Sequence, residues 1–447
     1  MSTNSRTKRL TKLATGLAAA FALVGMGSQA FAAVLPVTSC ADDNSSGTLR
    51  SVAASALSGD TISLSGLVCL NGTITLTQGE VVLAHNASVV GSPLNLLTIV
   101  NGGNSRVLHS TSNDSPSAWL DVANINIIGG RVATQYDSAD GGCILASGAL
   151  TLTNSIVSEC SASSSGGWAR GGAIYAQTVN MASSAVLNSS AVSSGEYQLA
   201  RGGGVYANSL ACTNSTLSGN GVAAATDWFD QGGGALLVGG DVTLNGCTLS
   251  DNSAGEGGAL MQFEFTGSQG QTIVKNSTIS GNFATLAVGG LEVTCPDCTP
   301  NAVQVTNSTI VLNNSAPGSA AGVQTSGNVI AQSSIIALNQ NAPAGGRSVS
   351  ADVGATAISG ANNLVMMTNA SRASGVITSS ADPQLAPLAD NGGQTQLHAL
   401  LSNSPALNQG NNAAGLTSDQ RGSGYVRTLN GFTDIGAYQH QSSDTRH

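Results

Sequence analysis

The sequence predicts an all-β protein built as a single right-handed parallel β-helix, a solenoid, with N- and C-terminal caps. Three observations predict it. Two short phrases alternate along most of the chain, with steps mostly of 30 to 32 residues. Between them lie runs of three to five alternating small apolar residues, a strand pattern, broken by Gly, Asn and Ser. The composition suits a thin regular core: 41% apolar but only 4% aromatic and 9% charged, with 56 glycines in 447 residues.

The first phrase is TNSTLSGN at 213–220, LNGCTLSDN at 244–252, KNSTISGN at 275–282 and TNSTIVLNN at 306–314. The second is a glycine cluster followed by a strand: GGAIYA at 171–176, GGGVYA at 202–207, GGGALL at 232–237, GGALM at 257–261 and GGLEV at 289–293. A period of this length without helical periodicity leaves a coil of short strands as the repeating unit. Leucine-rich repeats would carry a Leu-x-x-Leu-x-Leu phrase, which the chain lacks. Stacked coils place equivalent residues above one another about 4.8 Å apart. Asn220, Asn252 and Asn282 then form an amide ladder, and Leu217, Leu249, Ile279 and Ile310 an aliphatic column. Glycine sits where the chain turns tightly or coils approach closely.

The first 32 residues predict a signal peptide. Arg6, Lys8, Arg9 and Lys12 precede an apolar run from Leu13 to Met26, and Ala30-Phe31-Ala32 offers a cleavage site. Residues 33–70 are expected as the N-terminal cap, 71–380 as the repeats, 381–440 as the C-terminal cap and 441–447 as a polar tail. Export places the protein outside the cell or on its surface. No other stretch is long and apolar enough to span a bilayer. Removing the leader takes four basic residues and no acidic one. That leaves 11 Lys+Arg against 24 Asp+Glu, a formal charge of −13, with Lys275 the sole lysine. No basic face exists for a phosphate backbone, so nucleic acid is excluded as a partner, and strongly acidic polysaccharides are disfavoured.

An oxidising compartment makes disulfides the default for all eight cysteines. Proximity pairs Cys40 with Cys69, Cys143 with Cys160 and Cys295 with Cys298, leaving Cys212 with Cys247 one repeat apart. Eight cysteines allow 105 pairings, so the connectivity stays open. Cys295-Pro-Asp-Cys298 is expected as a structural turn, not a redox or metal motif. No acidic calcium loop occurs, and Asp251 and Glu256 stand isolated. No metal and no cofactor is expected.

The central phrases resemble bacterial right-handed parallel β-helix repeat proteins and the repeats of polymorphic outer-membrane proteins. VTSCADDNSSGTLRSVAASALSGDTISL at 37–64 is similar to the segment that opens many such helices. DPQLAPLADNGGQTQLHALLSNSPALNQGN at 382–411, with TSDQRG at 417–422 and TDIGAYQ at 433–439, resembles a choice-of-anchor Q domain. The resemblance implies a secreted or cell-surface β-helix without an assigned reaction. No recognisable sorting tail follows Gln439, which favours release, or attachment by a route the sequence does not name.

One feature points to a ligand. Trp168, Tyr197 and Trp228 precede successive glycine phrases at steps of 29 and 31 residues, with Glu196, Asp227, Phe229 and Asp230 beside them. A solenoid would bring these aromatics out along one edge with acidic companions, a surface suited to sugar rings or a protein partner. The competing reading has these loops folded back as packing. The expected function is structural or adhesive, with an extracellular glycan or surface protein as possible partner. The alternative is a polysaccharide lyase or glycoside hydrolase of β-helix fold. For a lyase, cations are scarce, and the five histidines lie outside the main phrases. A glycosidase needs two placed carboxylates, and no residue is assigned to catalysis. His398 is expected to be structural.

Overall fold

The computed structural model describes residues 32–442 and 444, apart from 115–116, 196–197, 225–231, 264–269, 296–300, 342–350 and 371–375, and without the side chains of 236–238. The chain is a parallel β-solenoid. Each full coil passes through four walls and, in three coils, a short ribbon. The coil from Ala149 is typical: Ala149–Thr153 lies in wall I, Ile156–Ser158 in wall II, Ser161–Ser164 in wall III, Ala169–Arg170 in the ribbon and Ile174–Tyr175 in wall IV. Among the described residues, walls I and II have 12 strands each, wall III has 8, wall IV has 10 and the ribbon has 3, all paired in parallel.

Register decides which residues share a column. In wall II, Val157, Val186, Leu217, Leu249, Ile279, Ile310 and Ile336 stack inward, each fully buried. Wall I adds Leu152, Met181, Cys212, Leu244 and Val274. A strand presents alternate residues to the two faces, so these columns need only the in-register stacking of similar coils.

The first repeated phrase resolves residue by residue. Asn214, Asn276 and Asn307 turn the corner between walls I and II with φ of +46°, +52° and +44°, a conformation that Asn tolerates better than most residues. The Ser that follows builds one ladder: Ser155 Oγ accepts from Ile125 N, Ser184 Oγ from Ser155 N, and Ser215 Oγ from Ser184 N. Cys247 holds the next place and is bonded to Cys212 of the coil before. Ser277, Ser308 and Ser334 then continue the ladder, and Asn363 ends it.

The last Asn of the phrase builds the expected amide ladder, and it runs further than expected. Asn220 donates Nδ2 to Asn252 Oδ1 at 3.1 Å, Asn252 to Asn282 at 2.9 Å, Asn282 to Asn313 at 2.8 Å and Asn313 to Asn339 at 2.9 Å. Each Oδ1 also accepts the backbone N–H of the residue below. Asp352 terminates the ladder, taking both donors of Asn339 on Oδ1. Burial pushes the Asp352 carboxyl up to about 6, against the Asn339 and Met367 hydrogen bonds that favour its charge.

The second phrase is explained at two of its glycines. Gly171 and Gly202 have φ of +63° and +64°. A Cβ on Gly203 would lie 2.4 Å from the carbonyl oxygens of Gly221 and Gly234. The coils approach too closely there for any side chain.

Three disulfides join Cys40 to Cys69, Cys143 to Cys160 and Cys212 to Cys247. Cys295 is also disulfide-bonded, while Cys298, its expected partner, lies outside the described residues.

Leu49–Ser55 forms a helix, where no helical periodicity was expected. Seven residues are too few to show a period. Thr48 caps the helix by accepting from Ser51 N, and Leu49, Val52 and Ala53 are buried. At the other terminus, residues 381–442 hold to the flank of wall II. Leu397, Ala399, Leu400, Ala406, Ile435 and Tyr438 pack on Val311, Ile335, Ala337 and Leu364. Gln420 Oε1 accepts from Thr278 at 2.6 Å, and Ala437 N donates to Thr309 at 3.0 Å. The Thr of the first phrase is therefore the docking row for this flank segment. Within the segment, Arg421 pairs with Asp419 and Asp444 and stacks on Tyr425 and Tyr438.

The Asn ladder yields a stability prediction. Asn282→Ala leaves Asn252 N without an acceptor in the core and one of the two Asn252 Nδ2 hydrogens unpaired, the other staying on Leu217 O. It should cost about 3 kcal/mol in equilibrium denaturation, the penalty of orphaned buried donors. Thr243→Ala, on the exposed face of wall I, should change stability by less than about 0.5 kcal/mol.

Candidate functional site

The outward face of wall IV and the adjoining ribbon carry the densest set of chemically distinctive side chains among the described residues. The ribbon aligns Asp140, Arg170 and Arg201 on successive coils. Wall IV aligns His109, Leu145, Tyr175 and Tyr206. Because the coils are in register, both columns run along the solenoid axis side by side.

Tyr175 and Tyr206 stack with centroids 5.2 Å apart and planes 5° from parallel. Arg170 lies against both, with Cζ 4.9 Å from the Tyr175 centroid and 5.7 Å from that of Tyr206. Trp168 contributes a third ring 5.6 Å from the same guanidinium. Asp140 holds Arg170 by two bonds, Nε to Oδ1 at 2.8 Å and Nη2 to Oδ2 at 2.7 Å. Burial works against the Arg170 charge, yet Asp140 outweighs it and raises the pKa above the ordinary arginine value. Burial also raises the Tyr175 pKa, so its hydroxyl stays protonated at neutral pH. The planar guanidinium fixed by a fork of two bonds is a rigid arrangement that Lys could not reproduce.

Further along the same face, Arg201 lies over the Phe263 ring at 5.9 Å. Toward the N-terminal end, Glu80, two coils before Leu145, bridges His109 Nδ1 at 2.8 Å and Arg106 Nη1 at 3.1 Å in the coil between. The His109 bond lowers the Glu80 pKa most, ahead of Arg106.

A carboxyl pair occupies the far part of the strip. Glu292 follows Met261 in the wall IV column. Glu256 lies beside Gly232 in the bridge that continues the ribbon row. Burial, and then the Glu256 charge, push the Glu292 carboxyl up to about 8, against the Gly257 and Val288 N–H groups. Glu292 Oε2 is buried with no hydrogen-bond partner. Glu256 was expected to be isolated. The fold corrects this, because Glu292 arrives from the next coil.

Of the residues expected at a binding edge, Trp168 is exposed at 40% and stands beside Arg170. Glu196, Tyr197, Asp227, Trp228, Phe229 and Asp230 lie outside the described residues. Tyr175, Tyr206 and Glu292 were missed. Their signal was present: each sits inside a glycine phrase, at the outward position after the buried Ile174, Val205 or Leu291. His398 is buried, with Nδ1 2.8 Å from Ala386 O and Nε2 2.8 Å from Ser280 Oγ. It fastens the flank segment to wall II. Among the described residues, no group of three or more His, Cys, Asp or Glu is placed to hold a metal ion. No helix among them is long and apolar enough to cross a membrane.

The Glu292 shift has a defined pH consequence. A carboxyl whose folded pKa is raised gives stability that is intact below its ordinary value near 4.5. That stability is lost as pH rises through the folded value of about 8. Glu292→Gln should flatten the fall in stability over this window, measured by denaturation at a series of pH values. An unchanged slope would show that Glu292 ionises normally.

No family model, curated protein or solved structure matches the chain, so the β-solenoid is established by its own strand register.

Proposed function

We propose that the protein is exported and acts outside the cell or on its surface as a structural or adhesive solenoid. It binds an uncharged glycan or a surface protein along the strip of Trp168, Arg170, Tyr175 and Tyr206. The stacked tyrosine pair locked by Arg170 and Asp140 carries this reading. Aromatic faces with polar neighbours suit the apolar face and hydroxyl edge of a sugar ring. A rigid platform also loses little entropy on binding. The disulfides favour an oxidising compartment, in keeping with residues 1–32 as a leader. In this reading residues 33–70 cap the N-terminal end of the repeats, and residues 381–440, which pack along wall II, are akin to a choice-of-anchor Q domain.

A second reading, a carbohydrate-active enzyme, is favoured by one observation. Glu292 stays protonated at neutral pH beside Glu256, the pairing of acid and carboxylate that glycoside cleavage uses.

A glycan array run on the wild type and on Trp168→Ala with Tyr206→Ala tests the first reading. The double variant should bind at least about tenfold more weakly, as expected for two lost stacking contacts. Mass spectrometry of the recovered glycans tests the second: shortened sugars, absent with Glu292→Gln, would make the protein an enzyme. Wild-type binding that survives the double substitution would remove the strip from the account.

A further inference from the structure

The flank segment shows what the corner of walls I and II recognises. That corner is a row of left-handed residues: Asn124, Asn154, Ser183, Asn214, Gly246, Asn276, Asn307, Ser333 and Asn362. From Gly246 onward every position meets the flank segment. Asn276 Nδ2 donates to Ser418 O at 3.3 Å, Asn307 Nδ2 to Asn411 O at 3.1 Å, and Asn362 Nδ2 to Gln409 O at 3.0 Å. Gly246 O accepts from Thr395, and Ser333 Oγ from Asn411 N. Each asparagine of the covered row thus donates to a backbone carbonyl of the flank segment. The row binds polypeptide as polypeptide, through its main chain.

The same row continues past the end of that interface. The flank segment reaches no further than Gln394, whose Oε1 accepts from Ser183 Oγ at 2.9 Å. Asn214, between Ser183 and Gly246, stays exposed beneath this end of the segment, and beyond Ser183 Asn154 is half-buried with its Nδ2 on Asn124 Oδ1 at 2.9 Å, whereas Asn276 and Asn307 are buried under the segment. The Asn214 amide donates to none of the described residues. A cavity of about 280 Å³ opens here, between Leu96 at one end and Gln394 at the other, floored by Asn154, Ile156, Ala185 and Thr216. No charged residue lines the cavity.

We propose that this open stretch is a docking groove for an extended, uncharged segment of a partner protein. It continues the interface that the chain's own flank segment occupies. Asn214 takes a partner carbonyl as Asn276 and Asn307 do, and small apolar side chains fill the space over Ile156 and Ala185. An uncharged groove excludes charged segments by their desolvation cost. Main-chain hydrogen bonds provide the affinity, as in other extended-peptide sites.

The test uses a fluorescein-labelled, end-capped peptide of residues 406–418, ALNQGNNAAGLTS, which is uncharged and carries the three carbonyls that the covered row binds. It is titrated against the full chain, Asn214→Gly and Ala185→Arg. Asn214→Gly keeps the left-handed corner while removing the amide, and circular dichroism checks that each variant folds. The proposal expects saturable binding to the wild type, weakened about tenfold by each substitution and unchanged by Trp168→Ala. It is overturned by no binding, or by binding indifferent to both groove substitutions. Neutral dextran oligomers that bind at the same residues, with no binding of the peptide, would give the groove to a sugar and also overturn it.

Discussion

Everything in this protein depends on the hydrogen bond from one coil to the next at the same place. A parallel strand cannot satisfy its own backbone, so each coil needs a neighbour above and below in register. Once register is fixed, any side chain repeated at one position becomes a column. The buried columns are aliphatic in walls I, II and IV. At two corners they are polar, and there the backbone N–H groups of the ladder residues, such as Asn252 and Ser277, find side-chain acceptors one coil away. Asn252, Asn282 and Asn313 are buried, yet their amides are satisfied because identical neighbours satisfy each other. An isolated asparagine in the same core would be destabilising.

The same logic explains the exceptions. Cys160 and Cys247 stand in ladder columns that Ser or Asn occupies elsewhere, and each is closed by a disulfide instead. The amide ladder ends on Asp352, a carboxyl that accepts from Asn339 and offers nothing onward. Its pKa of about 6 records the tension between burial and those donors. Function follows from outward columns by the same route. Tyr175 stacks on Tyr206 because they hold one position on consecutive coils. Asp140 reaches Arg170 because the ribbon puts them one rung apart.

Much of this was legible in the sequence. The Asn of the first phrase and the paired glycines follow from a period that can be counted, and closeness along the chain pointed to two of the disulfides, leaving Cys212 with Cys247 as the remaining pair. The rest was hidden for physical reasons. The Thr of Asn-Ser-Thr points outward, and its role depends on Gln420 and Ala437, far along the chain in a segment with no repeat. Tyr175 and Tyr206 sit in runs that register as strand whichever residue faces out. Glu256 looked isolated because it stands in the ribbon row while Glu292 stands in wall IV of the next coil, so counting along one column does not lead from one to the other. Register is a local property, whereas the contacts of the flank segment are not.

The central claim is that these coils stack in the stated register. Disulfide trapping tests it most directly. Thr151 and Asn180 are paired outward residues of wall I. Thr151→Cys with Asn180→Cys should cross-link on mild oxidation and give one new linked peptide by mass spectrometry, since paired Cα atoms fall within disulfide reach. Thr151→Cys with Ala182→Cys, two residues out of register on the same face, should stay reduced. Cross-linking of the second pair and not the first would contradict the register, and the ladders and the aromatic strip would fall with it.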